Sequence, residues 1–213
     1  MDTVRLFSKN PTYETDRLIL RRLLPKDALD MYSYARRPET SEFLLWEPHP
    51  SLSYTEDLIR FLQKEYATGK YSDFAIILKD GGKMIGTVGF TSYDEKNSVA
   101  EVGYVISPDH WHKGIATEAL KAILGIAFCE LKVQRVETKY MPENVFSRKV
   151  MDKCGMTYEG TARSRMLVKG TFRDIAYCSI LKDEFFARYK ESTYRETGLS
   201  GVLRRLFEPR NKN

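Results

Sequence analysis

Three strand-like segments follow one another between residues 72 and 107, and they constrain the fold more than any other part of the sequence. Residues 72–79, 83–93 and 98–107 are rich in β-branched, aromatic and other apolar side chains. Only the short turns DGG and DEKN separate them. Because turns this short join neighbouring antiparallel strands, we expect a three-stranded meander.

Segments with the period of a helix stand on both sides of this meander. The spacing of apolar residues predicts helices and four more strands, which makes seven strands in all. In the second helix, Thr55 is the predicted N-terminal cap. The order favours an α/β fold, with one mixed, mostly antiparallel sheet and helices on both faces. The predicted helices are at residues 25–37, 54–70, 115–131, 144–155 and 182–189, and the further strands at 16–24, 135–141, 158–168 and 171–181.

Composition narrows the class of protein without identifying it. The chain has 213 residues and a net charge of +5, with charges of both signs mixed almost everywhere. We therefore expect no nucleic-acid partner. No apolar run approaches the ~18 residues that a membrane span needs, and the first residues do not resemble a signal peptide. We expect a cytoplasmic location and no membrane partner.

The cysteines and histidines do not have the spacing of a disulfide framework or a metal site. Three cysteines are an odd number, they are widely separated, and no Cys-x-x-Cys pair occurs. Metal sites usually show short, regular ligand spacings. We therefore expect no metal ion. The residues concerned are Cys129, Cys154, Cys178, His49, His110 and His112.

The stretch HWHKGIATEA, residues 110–119, stands between the last strand of the meander and a helix. The first N–H groups of a helix have no partner within it and carry the positive end of its dipole. A glycine lets the main chain approach a ligand closely, and the flanking cations attract anions. Either this is an ordinary strand-to-helix connection, or the start of the helix holds a pyrophosphate.

The ordered set of motifs resembles the Gcn5-related N-acetyltransferase (GNAT) superfamily, and within it the RimJ/RimL-like branch of protein N-terminal acetyltransferases. The resemblance covers roughly residues 12–189 and implies the acyl-CoA N-acyltransferase fold, whose sheet splays open after AEVGYVI. The segments that carry it are ETDRLILR, IGTVGF, AEVGYVISPDHWHKGIATEAL, NVFSRKVMDKCGMTYEG and GTFRDIAYCSILKDEF.

This resemblance implies an acetyl-CoA site with no metal. In the family's acetyl-CoA signature, Trp111 stands at the Gln/Arg position, and Gly114 and Ala116 at the two small positions. His112 takes a place where glycine is common. The implied cofactor-binding residues are Tyr104, Val105, Ile106, Trp111, His112, Lys113, Gly114, Ile115, Ala116, Thr117, Asn144 and Ser147.

Glu101 and Ser147 are the candidate catalytic residues. Glu101 is either a base that takes a proton from the amine through water, or a salt-bridged strand residue. Ser147, in the pattern N-x-x-S, either protonates the departing thiolate or positions it. Asn144 binds the pantetheine arm, caps its helix, or does both. Trp46 and Glu101 are the candidate acceptor-binding residues, and the alternative for Trp46 is core packing.

The sequence thus predicts an acetyl-CoA-dependent N-acetyltransferase that acts by direct attack in a ternary complex. A protein N-terminal α-amino group is the expected acceptor. The alternatives are a small amine, such as a polyamine, amino acid or antibiotic, and a non-catalytic acyl-CoA sensor. We expect an N-terminal extension (1–12), the catalytic domain (13–189) and a basic amphipathic tail (190–213), with a homodimer left open.

Overall fold

The computed structural model describes residues 11–68 and 73–189. The predicted amphipathic tail and most of the predicted N-terminal extension lie outside these residues. The strands are β1 (Tyr13–Glu14), β2 (Leu18–Arg21), β3 (Asp73–Leu78), β4 (Met84–Asp94), β5 (Val99–Ile106), β6 (Arg135–Tyr140), β7 (Thr157–Val168) and β8 (Thr171–Leu181). The helices are α1 (Ala28–Ala35), α2 (Pro38–Ser41), α3 (Leu52–Thr68), α4 (Ile115–Ile126), α5 (Val145–Lys153) and α6 (Lys182–Arg188).

The described strands form one open sheet in the order β1-β2-β3-β4-β5-β6-β8-β7. The predicted meander is β3-β4-β5, and its pairings are antiparallel. The sheet has eight strands where seven were predicted, because β1 adds a two-residue strand that is too short to show a period in the sequence. The predicted mixed α/β architecture is confirmed.

One strand pair departs from the antiparallel arrangement, and it creates a gap in the sheet. β5 and β6 run parallel and pair only through residues 99–101 of β5. Beyond Glu101, β5 continues to Ile106 beside β4, while the rest of β6 pairs with β8. The later residues of β5 therefore have a neighbouring strand on one side only, as expected for a splayed sheet.

The segment between α1 and α3 differs from the sequence prediction. A short helix, α2, follows Arg37, and its first residue is proline, which is favoured at this position because its missing N–H has no intrahelical partner there. The predicted cap Thr55 is wrong, because α3 already begins at Leu52. The Ser51 hydroxyl accepts the Tyr54 N–H at 3.1 Å, while the Thr55 hydroxyl bonds to His49 Nδ1.

Helix α4 provides much of the core and fixes the direction of its own N-terminus. Eight of its residues are buried, among them the fully buried Leu120, Ile123 and Leu124. The helix continues into a π-helical turn, Ala127–Leu131, where Phe128 packs on Phe185 of α6 with ring centroids 4.8 Å apart. Burial of this apolar face holds the start of α4 at the end of β5.

In the described ranges, no helix is both long and apolar enough to cross a membrane.

Candidate active site

A cleft opens where β5 leaves β6, and its volume is about 320 Å³. Its walls come from the end of β5, the start of α4, the first turns of α5, and α2 with the residues that follow it. Eleven of the twelve predicted cofactor-binding residues line it, from residues that are up to 43 positions apart in the chain: Tyr104, Val105, Ile106, Trp111, His112, Gly114, Ile115, Ala116, Thr117, Asn144 and Ser147.

The start of α4 has the geometry of an anion-binding helix terminus. Gly114 is the residue before the helix and has φ 76°, in the left-handed region that favours glycine. The first intrahelical bond runs from the Glu118 N–H to the Gly114 carbonyl at 3.1 Å. The N–H groups of residues 115–117 therefore have no acceptor within the helix and are available to an anion in the cleft.

Two residues that are distant in the sequence, Thr15 and Arg17, hold the start of α4 in place. The Glu118 carboxylate accepts bonds from the Thr15 hydroxyl at 2.5 Å, the Arg17 N–H at 2.9 Å and Arg17 Nε at 2.7 Å. Arg17 Nη1 also donates to the Lys113 carbonyl at 2.9 Å. This contact was not predicted, because nothing local in the sequence relates residues that are 101 positions apart. The only local signal is an acid in the first turn of a helix.

His112 and Phe146 meet at the cleft from opposite walls. His112 has φ 58°, which agrees with the resemblance to proteins that have glycine at this place. Its ring lies edge-on to that of Phe146, with the centroids 4.8 Å apart. Phe146 is 55% exposed. Trp111 also lines the cleft, and its Nε1 donates to the Ile106 carbonyl at 2.8 Å, which fixes the end of β5.

Tyr104 and Ser147 bring hydroxyl groups to the cleft. The Tyr104 hydroxyl is buried and makes no hydrogen bond with a described residue. Burial raises the pKa of Tyr104, and the nearby Ser147 hydroxyl acts in the opposite direction. The Asn144 side chain accepts the Ser147 N–H at 3.1 Å, so the predicted cap of α5 is confirmed.

The wall that α2 and the residues after it provide was also not predicted. Glu39, Thr40, Glu42, Phe43 and Leu44 line the cleft, but their stretch of sequence has no clear period. Ion pairs and hydrogen bonds hold α2 from two sides. Arg37 pairs with Asp109 at 2.6 Å, and the Lys169 ammonium, from the turn between β7 and β8, donates to the Ser41 carbonyl at 2.7 Å.

Three predicted site residues lie apart from the cleft lining. Lys113 folds back, and its ammonium donates to the Asp109 carbonyl at 2.7 Å. Glu101 accepts bonds from the Thr91 hydroxyl at 2.5 Å and the Lys139 ammonium at 3.0 Å, at the last residue pair that β5 shares with β6. Trp46 lines a second cavity, which also reaches Val105.

The thiols are poorly suited to nucleophilic catalysis. Burial raises the pKa of Cys129 and of Cys154 to about 12, and that of Cys178 in the same direction. Since the thiolate is the nucleophile, these groups are almost entirely unreactive near neutral pH. Across residues 11–68 and 73–189, no group of three or more His, Cys, Asp or Glu side chains is placed to hold a metal ion.

Comparison with known proteins identifies the family. The model of the acetyltransferase (GNAT) domain matches residues 17–157. The chain belongs to the GNAT family. It is therefore an N-acetyltransferase, and GNAT acetyltransferases use acetyl-CoA. The predicted RimJ/RimL-like branch is also supported by relatives named as ribosomal-protein N-acetyltransferases.

Individual relatives extend this likeness over most of the chain. This GNAT acetyltransferase is 33% identical over 174 residues to the N-acetyltransferase p20 of Bacillus licheniformis, covering 82% of this chain and 98% of the relative. It is 28% identical over 167 residues to the [ribosomal protein uS5]-alanine N-acetyltransferase of Escherichia coli, covering 75% and 85%. The solved structure of a GCN5-related N-acetyltransferase from Brucella melitensis matches with a TM-score of 0.77 at 26% identity, covering 88% and 85%.

Proposed function

We propose that the enzyme transfers the acetyl group of acetyl-CoA to the α-amino group of a protein N-terminus. The observation that carries the proposal is the gap between β5 and β6 beyond Glu101, which leaves one edge of β5 open beside the start of α4. The protein acceptor is supported by the relative that acetylates the alanine of ribosomal protein uS5. A small amine is the alternative, supported by the limited size of the second cavity, about 280 Å³.

The residues of the cleft fit the chemical groups of acetyl-CoA. The open edge of β5 at residues 104–106 offers N–H and C=O groups to the amides of the pantetheine arm, as in strand addition. The N–H groups of residues 115–117 and the left-handed Gly114 suit the pyrophosphate. Lys149 and Lys153 line the same cleft and add positive charge. Asn144 lines the cleft as well, and we propose that it binds the arm in addition to capping α5.

Acetyl-CoA supplies an electrophilic thioester when bound. A neutral amine attacks the carbonyl carbon and the N–C bond forms while the carbonyl electrons move to oxygen; the C–S bond then breaks and its electron pair leaves with sulfur. A backbone N–H of β5 stabilises the negative oxygen that develops on the carbonyl. The nitrogen loses one proton to a base and the sulfur gains one. Since the amine and the thioester react directly, no acyl-enzyme is formed.

Glu101 is the proposed base, acting through water. Its carboxylate lies at the last residue pair before the gap and accepts bonds from the Thr91 hydroxyl and the Lys139 ammonium. An α-amino group has a pKa of about 8, so about a tenth of it is already neutral at pH 7 and most of it at pH 9; it needs less help than a lysine side chain, and the contribution of a base is larger at the lower pH. We expect Glu101→Gln to lower kcat about 100-fold at pH 7, with a smaller loss at pH 9.

The pH profile of kcat, measured at saturating acetyl-CoA, checks this prediction. Lys139→Met is the matched control, because it removes the ion pair and leaves the carboxylate. We expect it to keep most of the activity. If Glu101→Gln turns over at the wild-type rate at every pH, Glu101 is only a salt-bridged strand residue.

Ser147 is proposed to hydrogen-bond the departing thiolate, beside the buried Tyr104 hydroxyl. A thiol with a pKa near 8.5 leaves readily, so the contribution of an acid is small. We expect Ser147→Ala to lower kcat about 10-fold. Steady-state kinetics separate the two roles: a proton donor lowers kcat alone, whereas a positioning group also raises KM for acetyl-CoA. Unchanged kcat would exclude the acid role.

A mass-spectrometric screen tests the function as a whole. Purified enzyme and acetyl-CoA are incubated with peptides that differ in their first residue and with a panel of small amines. We expect a mass increase of one acetyl group on the N-terminus of a subset of peptides. Acetylation of small amines alone would favour the alternative acceptor, and no acetylation of any amine would contradict the proposal.

A further inference from the structure

A second cavity, with a volume of about 280 Å³, meets the cleft at Val105. Its other walls come from α1, α3, the loop between α2 and α3, and the neighbouring strands β3 and β4. Successive side chains of a strand point to opposite faces of the sheet. Tyr104 and Val105 therefore point to opposite sides of β5, and Val105 borders both spaces.

One side of this cavity is aromatic. The rings of Trp46 and His49 have centroids 5.3 Å apart, and those of His49 and Tyr54 are 5.0 Å apart. Burial lowers the pKa of His49, which favours its neutral form. The remaining wall is mostly aliphatic. It is formed by Met31, Leu58, Leu62 and Val105.

The polar groups of the cavity favour positive charge. Asp73 lines it, and among the lining residues that belong to the described ranges 11–68 and 73–189 none is a lysine or an arginine. The Tyr34 side chain also lines it, is only 2% exposed, and carries a hydroxyl that makes no hydrogen bond with a described residue. A buried hydroxyl without a partner is destabilising, so a ligand group that pairs with it gains affinity.

The electrostatic environment of Tyr34 also favours a positively charged ligand group. Burial raises its pKa most, and the carboxylates of Asp27, Asp73 and Asp30 raise it further. Each of these carboxylates has a partner within the protein: Asp27 is paired with Arg21, the Asp30 carboxylate accepts the Met84 N–H, and Asp73 also interacts with a neighbouring group. Aromatic faces also attract cations, most strongly where water is excluded.

We propose that this cavity binds a cationic group that the acceptor carries on an apolar stem, while the amine to be acetylated lies at Val105. Asp73 and the Tyr34 hydroxyl receive the cation, and the aromatic and aliphatic walls pack on the stem. The inference rests on the proposed function. The same chemistry occurs in an aliphatic diamine and in a polypeptide whose first side chain is that of lysine.

Matched acceptors test the inference. Butane-1,4-diamine is compared with butylamine, and a peptide that begins with lysine is compared with one that begins with norleucine. We expect kcat/KM to be about 10-fold higher for the cationic member of at least one pair, which corresponds to about 1.4 kcal/mol. The pair that shows the difference tells whether the source is a small amine or a polypeptide.

Two variants assign the effect to the cavity. We expect Asp73→Asn to raise KM for the preferred cationic acceptor about 10-fold and Tyr34→Phe to raise it about 5-fold, in line with the loss of hydrogen bonds to a charged group. KM for acetyl-CoA and the kinetics of the apolar acceptor stay within about 2-fold, since neither touches these groups. Tyr32→Phe, on the same helix but outside the cavity lining, is the control and leaves all constants unchanged.

Several results would overturn the inference. Equal or better use of the apolar acceptors contradicts it, and so does a loss in Asp73→Asn that is the same for both members of a pair, because that indicates a structural role. If the enzyme acetylates no amine, the proposed function fails first. Calorimetric titration of butane-1,4-diamine into the enzyme with coenzyme A then still tests the cavity, and absence of binding contradicts the inference.

Discussion

Gly86→Ala is expected to destabilise the protein more than any other single substitution considered. A Cβ atom on Gly86 would lie 2.1 Å from the Val105 carbonyl oxygen and 3.1 Å from Ile106 Cα. These are backbone atoms of the paired strand β5, so no side chain can turn away to make room. We expect a loss of about 3 kcal/mol or more in the free energy of unfolding. Urea denaturation measures it as a lower transition midpoint.

Gly103→Ala is the matched control for this substitution. Gly103 lies on β5, also within the β4–β5 pair, and its added Cβ would meet only the Thr91 methyl group, at 3.1 Å. Because a side chain can shift, we expect a loss of about 1 kcal/mol. A Gly86→Ala protein with the wild-type midpoint would show that β4 and β5 do not pair as closely as described.

Gly114→Val is expected to abolish most of the affinity for coenzyme A. The left-handed φ of 76° costs any other residue about 1–2 kcal/mol, and a branched side chain costs more. The valine side chain would also stand beside the N–H groups proposed to hold the pyrophosphate. We expect the Kd for coenzyme A to rise about 100-fold, or about 2.8 kcal/mol, as measured by titration calorimetry.

Gly81→Val separates backbone strain from loss of the site. Gly81 has φ 79°, lies in the turn between β3 and β4, and has nothing within 4 Å of an added Cβ. It is therefore strained in the same way by substitution, but it does not line the cleft. We expect the Gly81→Val protein to be less stable than the wild type and to keep its affinity for coenzyme A. Equal affinities in both variants would argue against a pyrophosphate site at Gly114.

The fold was largely predictable because its signals are local. The turns DGG and DEKN fix the β3-β4-β5 meander, and the apolar face of α4 fixes a buried helix. The start of α4 was predictable for the same reason, since a glycine next to a good helix-forming run marks it. Local signals failed at α3, where Ser51 and not Thr55 bonds to the first turn of the helix.

The cleft itself depends on contacts that no local pattern shows. Along the chain, α4 stands between β5 and β6. The number of residue pairs that these two strands form before they diverge is determined by packing and not by their own sequences. The wall from α2 depends on Arg37 and Lys169, which reach it from distant positions. The resemblance to the GNAT superfamily predicted the cofactor-binding residues. It did not predict the ion pair between Arg17 and Glu118 or the second cavity, which Tyr34 lines.

Hydrogen–deuterium exchange with and without coenzyme A tests the central claim most directly. The claim is that an open edge of β5 and the first turn of α4 together hold the acetyl carrier. Saturating coenzyme A should slow exchange of the backbone amides of residues 115–117 and of those amides of residues 104–106 that point to the open edge of β5, because these N–H groups become hydrogen-bonded to the ligand. Protection of other segments with no change at these amides would contradict the claim. Absence of coenzyme A binding to protein purified free of ligand would contradict it as well.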